Sequence, residues 1–236
     1  MSSRTDGFAE RYRDILASVY LYNEHRGYTS LDRVLQAVRV VCPDDQAFIA
    51  EIERHRADEH KHYHMFRRWF ERAGRMPLAM DRRVGHIDRF IFRTFGCTID
   101  ELDTDEVATT PEAFAQLCRV IMLTEQRGYA QVEILLRNAW IRSDPVMRRI
   151  FDIVHRDEPG HFLPYQRWLE RQGRATARWR EKWTDFWIHR ALLLGHIPAL
   201  FLDPALPRLE RWPHEGDEQY TEPAPSMGEG YRSLVA

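Results

Sequence analysis

The chain has 236 residues, 44% hydrophobic and 30% charged, with 34 basic against 36 acidic side chains and a formal charge of −2. That balance fits one large globular domain or two small ones. It excludes a disordered chain and gives no net pull toward nucleic acid or an anionic membrane, though a local basic patch stays open.

Cys42, Cys97 and Cys118 are odd in number, widely spaced and without a CxxC pair. This argues against a disulfide framework, a zinc ribbon or a rubredoxin-type iron centre, and for a reducing compartment. The opening MSSRTDGFAERYRD lacks the apolar core of a signal peptide, so a cytoplasmic location is expected. The most apolar run, 183–202, contains Asp185, His189, Arg190, His196 and Pro198; no membrane span is expected there, but a buried helix or a docking surface.

Between residues 8 and 41, Ile15, Leu16, Val19, Tyr20, Leu31, Val34, Leu35 and Val38 recur at helical spacing, predicting one long amphipathic helix. Cys42-Pro43-Asp44-Asp45 stops it and caps a second helix over about 44–73, ended by Ala73-Gly74 ahead of Pro77. The two should form an antiparallel hairpin. A shorter helix is expected near 79–95, then an acidic loop, TIDELDTDEVATT. Thr110-Pro111-Glu112 opens a third long helix, about 111–142, with a capping residue, a first-turn proline and an acid at the positive end of the dipole. Ser143-Asp144-Pro145 turns the chain into a fourth, about 145–172. Pro159 and Pro164 should each break it, either opening a path beside the helix or only curving it round the core.

A fifth helical segment is expected at 175–196, where Trp179, Trp183 and Trp187 read as a buried stripe or a homodimer contact. The last thirty or so residues carry Pro204, Pro207, Pro213, Pro223 and Pro225 and read as an extended tail, wrapped on the body or disordered. No strand pattern of any strength is present. The expected class is all-α: a four-helix bundle over 8–173, and a C-terminal helix and tail over 174–236 packed on it.

The halves are duplicated. Glu24 is followed by His25-Arg26-Gly27-Tyr28, and Glu125 by Gln126-Arg127-Gly128-Tyr129. The second helix carries Asp58-Glu59-His60-Lys61-His62 and the fourth Asp157-Glu158-Pro159-Gly160-His161, at offsets of 101 residues for the single glutamate and 99 for the ExxH. In ExxH the Glu and His stand about 300° apart round the helix and ~4.5 Å along it, so both project from one face. Two such motifs plus a glutamate from each remaining helix supply four carboxylates and two imidazoles, a set suited to a pair of iron or manganese ions. In the first hairpin, Glu24 and Glu59 lie ~28 and ~24 Å from the turn. In the second, Glu125 and Glu158 lie ~30 and ~20 Å from theirs, a mismatch of two turns that a tilted or distorted fourth helix would have to absorb.

The pattern Glu, ExxH, Glu, ExxH on four antiparallel helices resembles the ferritin-like di-iron carboxylate superfamily over roughly residues 8–173. The resemblance implies that Glu24, Glu59, His62, Glu125, Glu158 and His161 hold two iron ions, or manganese, or one of each, with Glu59 and Glu158 as bridges. It also implies that Asp58 and Asp157 hydrogen-bond ligand histidines and fix their orientation.

His55 and His155 precede the ExxH glutamates near the same face and read as extra ligands, supporting donors, or ordinary core histidines. Tyr28 and Tyr129 sit one turn beyond Glu24 and Glu125, where a phenol could meet a carboxylate, relay an electron or simply pack. His60 and His64 are expected to face solvent.

The resemblance implies an oxidoreductase that uses O2 to hydroxylate, desaturate or otherwise oxidise a small organic substrate, and the segments 79–95 and 175–236 are material for the walls of a pocket. A ferritin- or rubrerythrin-like ferroxidase or peroxide scavenger is the rival reading, although the CxxC pairs of a full rubrerythrin are missing. A helical interaction protein without catalysis is the third. With no GxGxxG fingerprint, electrons for an oxygenase must come from a separate reductase.

Overall fold

The structure, a computed structural model, describes residues 2–214 and is all-α; the described residues hold no strand, only one isolated bridge between Leu78 and Arg208. Helix α1 spans Ser2–Val41 and α2 spans Gln46–Arg72, joined by a four-residue turn and packed along each other. The Asp45 side chain caps α2 by accepting from the Phe48 N–H. Gly74 and Gly173, at φ 64° and 65°, follow the helices that end at Arg72 and Arg171 in the left-handed conformation that ends a helix without a Cβ clash.

After an extended stretch come α3 (His86–Phe95), a 3-10 turn (Ile99–Glu101) and α4 (Thr104–Thr109). The acidic segment expected as a loop is therefore partly helical. Asp103 caps α4, accepting from the Asp105 and Glu106 N–H groups, and the acids sit in its first turn, where the helix dipole favours them.

Helix α5 (Pro111–Leu136) starts at Thr110 as expected, but the Thr110 side chain makes no capping hydrogen bond. It also ends six residues before the expected 142. Asn138 accepts from the Trp140 N–H and starts a separate single turn, α6 (Ala139–Arg142). Counted from Leu136, Glu125 is only 11 residues from the helix end, ~16 Å, against ~20 Å from Pro145 to Glu158. The early exit removes the mismatch between the arms of the second hairpin.

The expected fourth helix is two: α7 (Pro145–Asp157) and α8 (Pro159–Arg171), interrupted at Glu158 because Pro159 has no N–H to give. The expected break at Pro164 is absent, since α8 runs through it. Helix α9 (Trp179–Ala191), a π-helical turn (Leu192–His196) and α10 (Ile197–Leu202) complete the helices. Part of the tail lies on the body, where Ala79 N–H donates to Pro207 O and Leu209 N–H to Pro77 O. Pro223 and Pro225 lie outside the described residues. No helix among the described residues is long and apolar enough to cross a membrane.

Helix α5 packs on α7 and α8, and α2 on both. Two apolar cores result. Leu31, Leu35, Ile52, Phe114, Ile121, Tyr165 and Leu169 belong to one, and Ala17, Leu21, Phe66, Phe70, Val132, Phe151 and Val154 to the other. Glu24, Glu59, Glu125 and Glu158 each fall in sequence between a residue of one core and a residue of the other, so a polar layer separates the two.

Candidate metal centre

Within that layer, donor atoms of His55, Glu59, Glu125 and His161 lie within 4.8 Å of one another, as do those of Glu24, Glu59 and His62. Glu59 belongs to both groups. His62 Nδ1 stands 3.3 Å from Glu24 Oε2, and His161 Nδ1 stands 3.0 Å from Glu59 Oε1 and 3.9 Å from Glu158 Oε2. All six side chains of the expected ligand set are thus gathered from α1, α2, α5 and the α7–α8 junction.

His55 joins them, its Nε2 at 3.6 Å from Glu59 and 3.9 Å from Glu125. His155 does not: its ring stacks on Tyr129 at 4.5 Å between centroids, away from these groups.

Tyr28 is buried among the His25, His60 and Tyr63 rings and belongs to the apolar core. The phenols set against the carboxylates are others. Tyr20, one turn before Glu24, lines a cavity together with Glu24, Glu59, Glu125 and Glu158, and its pKa is driven well above 10 by burial and then by the charges of Glu158 and Glu24. Tyr165, one turn beyond His161, has its Oη 3.4 Å from His55 Nδ1. The signal available for both was spacing from a ligand, read on the N-terminal side of Glu24 and on the C-terminal side of His161. His60 and His64 are half-buried, with Nε2 atoms 3.0 Å apart, and not solvated as expected.

The duplicated Glu-x-Arg-Gly-Tyr has a steric and an electrostatic reason. A Cβ on Gly27 would lie 2.9 Å from Glu59 Cδ and closer still to its Oε2, so glycine makes room for that carboxylate. Arg26 reaches outward to Asp88 on α3 and to Asp100, both at 2.9 Å, and Arg127 pairs with Asp185 on α9. The repeated arginines therefore pin the accessory helices.

The acids before the ExxH glutamates act across the hairpins. His62 Nε2 lies 3.2 Å from Asp157 Oδ2, the expected hydrogen bond, whereas His161 Nε2 lies 3.9 Å from Asp58 Oδ2, too far for one, so Asp58 acts on that ring through its charge only. Between them, buried Lys61 Nζ donates to Asp58 Oδ1 and Asp157 Oδ2, each at 2.6 Å. Burial raises both aspartates, but His161 and Lys61 at Asp58, and His62 and Lys61 at Asp157, win and hold both below the usual carboxylate range. Lys61 carried no weight in the sequence, where the corresponding residue of the second motif is Gly160.

Crowding of buried carboxylates is costly without cations. Burial, followed by the charges of neighbouring glutamates, pushes Glu24 and Glu125 well above the normal range. Burial likewise lifts Glu158 to about 8, against the pull of His161 and with the push of Glu59. Glu59 moves the other way: burial opposes its charge, yet His161 and His55 hold it well below the usual value. Burial lowers His62, and lowers His55 to about 4.

His55 Nε2, His62 Nδ1, His161 Nδ1 and Glu158 Oε2 are buried with no hydrogen-bond partner. A buried polar atom left this way calls for an explanation, and a group bound from outside the polypeptide is one. The ones facing the cluster are all metal-donor atoms, and the set is rich in hard oxygen, which fits iron or manganese.

The carboxylates of Glu24, Glu59, Glu125 and Glu158 face a cavity of about 350 Å³ whose other walls include Val19, Val34, Ile91, Ile121 and Ile197. Helices α1, α3, α5 and the π-helical turn before α10 provide these walls. Compared with known proteins, the chain matches no family model, and neither a curated protein nor a solved structure was found to be similar to it.

Proposed function

We propose that the chain is a ferritin-like di-iron carboxylate protein, its four-helix bundle made of α1, α2, α5 and the α7–α8 pair, and that it oxidises an apolar organic substrate at the expense of O2. The observation that carries this reading is the single cavity onto which four glutamates and an apolar wall both open. A centre that only oxidised free iron would need a polar entrance for a cation, whereas apolar walls suit an organic guest.

Glu24, Glu59, His62, Glu125, Glu158 and His161 would hold two iron ions, or manganese, with His55 as a seventh donor. Bound there, the metals would supply the redox chemistry with O2 or peroxide that no side chain of this set can perform. The polypeptide contributes the rest. Asp157 accepts the proton-bearing Nε2 of His62 and leaves the Nδ1 lone pair toward Glu24, which is the tautomer a ligand needs. Lys61 keeps Asp157 ionised for that task and pairs with Asp58 as well. The apolar walls exclude water and orient the guest. Electrons would come from a separate reductase.

Anaerobic loading with Fe(II) tests the reading. About two metals per chain, retained through gel filtration on a monomer or dimer, with reductant-dependent O2 uptake stimulated by apolar organic substrates, is the expected result. Less than one metal per chain removes the proposal. A large hollow assembly that mineralises iron would instead assign the centre to storage.

A further inference from the structure

The fifth helical region presents a surface that the centre does not use. Trp179, Trp183 and Trp187 are exposed, not the buried stripe that their spacing predicts, and share one face of α9 with Phe186; farther along, Leu194 and Leu202 are 74% and 83% exposed. The Trp183, Phe186 and Trp187 rings pack on one another at 5.5–6.0 Å and leave their outer faces open. A contiguous exposed patch of this kind marks an interaction site.

Its charge is mainly basic. Between residues 178 and 203 the exposed charged side chains are Arg178, Arg180, Lys182 and Arg190, against one acid, Asp203, at the far end. The other two acids of the stretch, Glu181 and Asp185, are buried and turn inward to Arg119 and Arg127. Arg178 is paired with Glu112, which leaves Arg180, Lys182 and Arg190 as the cations of the face. Arg180 lies over the Trp179 ring and Arg190 over Phe186, so their stems cover aromatic surface while their heads stay free to reach outward.

We propose that α9, the π-helical turn and α10 seat this face on an anionic lipid surface, lying in the interface without crossing it. Tryptophans at headgroup depth, leucines below and basic side chains beside them are what such a surface takes. A second copy fits less well, because a two-fold contact through this face would set Arg180, Lys182 and Arg190 against themselves. The other side of the same segment, through Leu192, Ile197 and Phe201, walls the cavity, so an apolar molecule dissolved in the bilayer has a short route to the carboxylates. That last step rests on the oxidative reading above; the docking itself does not.

Co-sedimentation with phosphatidylcholine vesicles, with and without about 30% phosphatidylglycerol, tests the docking on both metal-free and metal-loaded protein. Binding to the anionic vesicles that weakens with salt is expected, and R180A/K182A/R190A should weaken it on the order of a hundredfold, about fivefold per charge. W183S/W187S should lose binding, and bromine-labelled lipid should quench fluorescence of the native chain but not of this variant. Metal content should be unchanged in both variants, so docking by metal-free protein stands whatever becomes of the centre. No partition onto either vesicle, partition unaffected by these variants, or a dimer that W183S/W187S dissolves would each overturn the proposal.

Discussion

Glu59 occupies the space that any side chain on Gly27 would need, whereas Glu158 leaves 3.5 Å, an ordinary contact, for a Cβ on Gly128. The two glycines hold corresponding positions in the duplicated motif, yet only the first is sterically required. Gly27→Ala should drive Glu59 from both donor groups and lower metal affinity by more than tenfold. Gly128→Ala should keep the metal and gain up to about 1 kcal/mol of helix stability. Metal titration and thermal melts of the pair check this; equal affinity in the two variants would contradict it.

Glu59 is shared by both groups and His55 joins one of them. Glu59→Ala should therefore empty both positions, Glu158→Ala should weaken both, and His55→Ala should weaken binding by about tenfold to a hundredfold, the range for supporting ligands. His155→Ala, His60→Ala and His64→Ala should leave metal content unchanged. Elemental analysis of the six proteins would expose a wrong assignment as equal loss across them.

Lys61 is the buried cation between Asp58 and Asp157. Lys61→Met matches its volume but takes the shared cation away from two buried carboxylates, and removing one partner of a buried pair costs about 3–5 kcal/mol. The double variant with Asp58→Asn should recover part of the loss. Denaturant melts measure both, and no recovery in the double variant would speak against a charge pair.

The metal-free protein should lose stability as pH rises from about 6.5 to 8. In that window Glu158, raised to about 8, binds a proton in the folded state that the unfolded chain has already released, and the upward shifts of Glu24, Glu125 and His161 act in the same direction. Stability from a raised group is full below its unfolded pKa and disappears as pH climbs through the folded one. His55 and His62 are lowered and Glu59 is lowered, so none of these changes charge between states across most of the window. Glu158 alone corresponds to about 1.5 kcal/mol over the interval. Metal loading should reverse the slope, because it requires the deprotonated carboxylates. Melting temperatures at the two pH values, with and without Fe(II), give the answer; a metal-free melt that rises with pH would be incompatible.

Much of this was legible in the sequence because it is local. Apolar periodicity gave α1 and α2, and the repeated glutamate and ExxH pointed to six side chains that the fold gathers. What escaped was either punctuation misread or partnership over long range. Asn138 and Asp103 are helix caps by residue type, but one lies within an unbroken apolar periodicity and the other within an acidic run that carries none, so neither signals a boundary by pattern. Lys61 meets Asp157 across 96 positions, so no spacing rule could pair them, and Tyr165, although one turn from His161, meets His55 across 110. The tryptophan stripe has correct helical spacing, yet periodicity alone does not say whether a face turns inward or outward.

The interruption at Glu158 has its own consequence. Glu24, Glu59 and Glu125 ride in the middle of continuous helices and can be re-aimed only by shifting whole turns, while Glu158 rides on a joint between two rods, followed by a proline. Rotation about a few backbone bonds there swings its carboxylate without unwinding either rod. The cluster has three arms on unbroken helices and one at a helix joint, and a change of coordination demand or guest shape should be taken up first at that fourth arm.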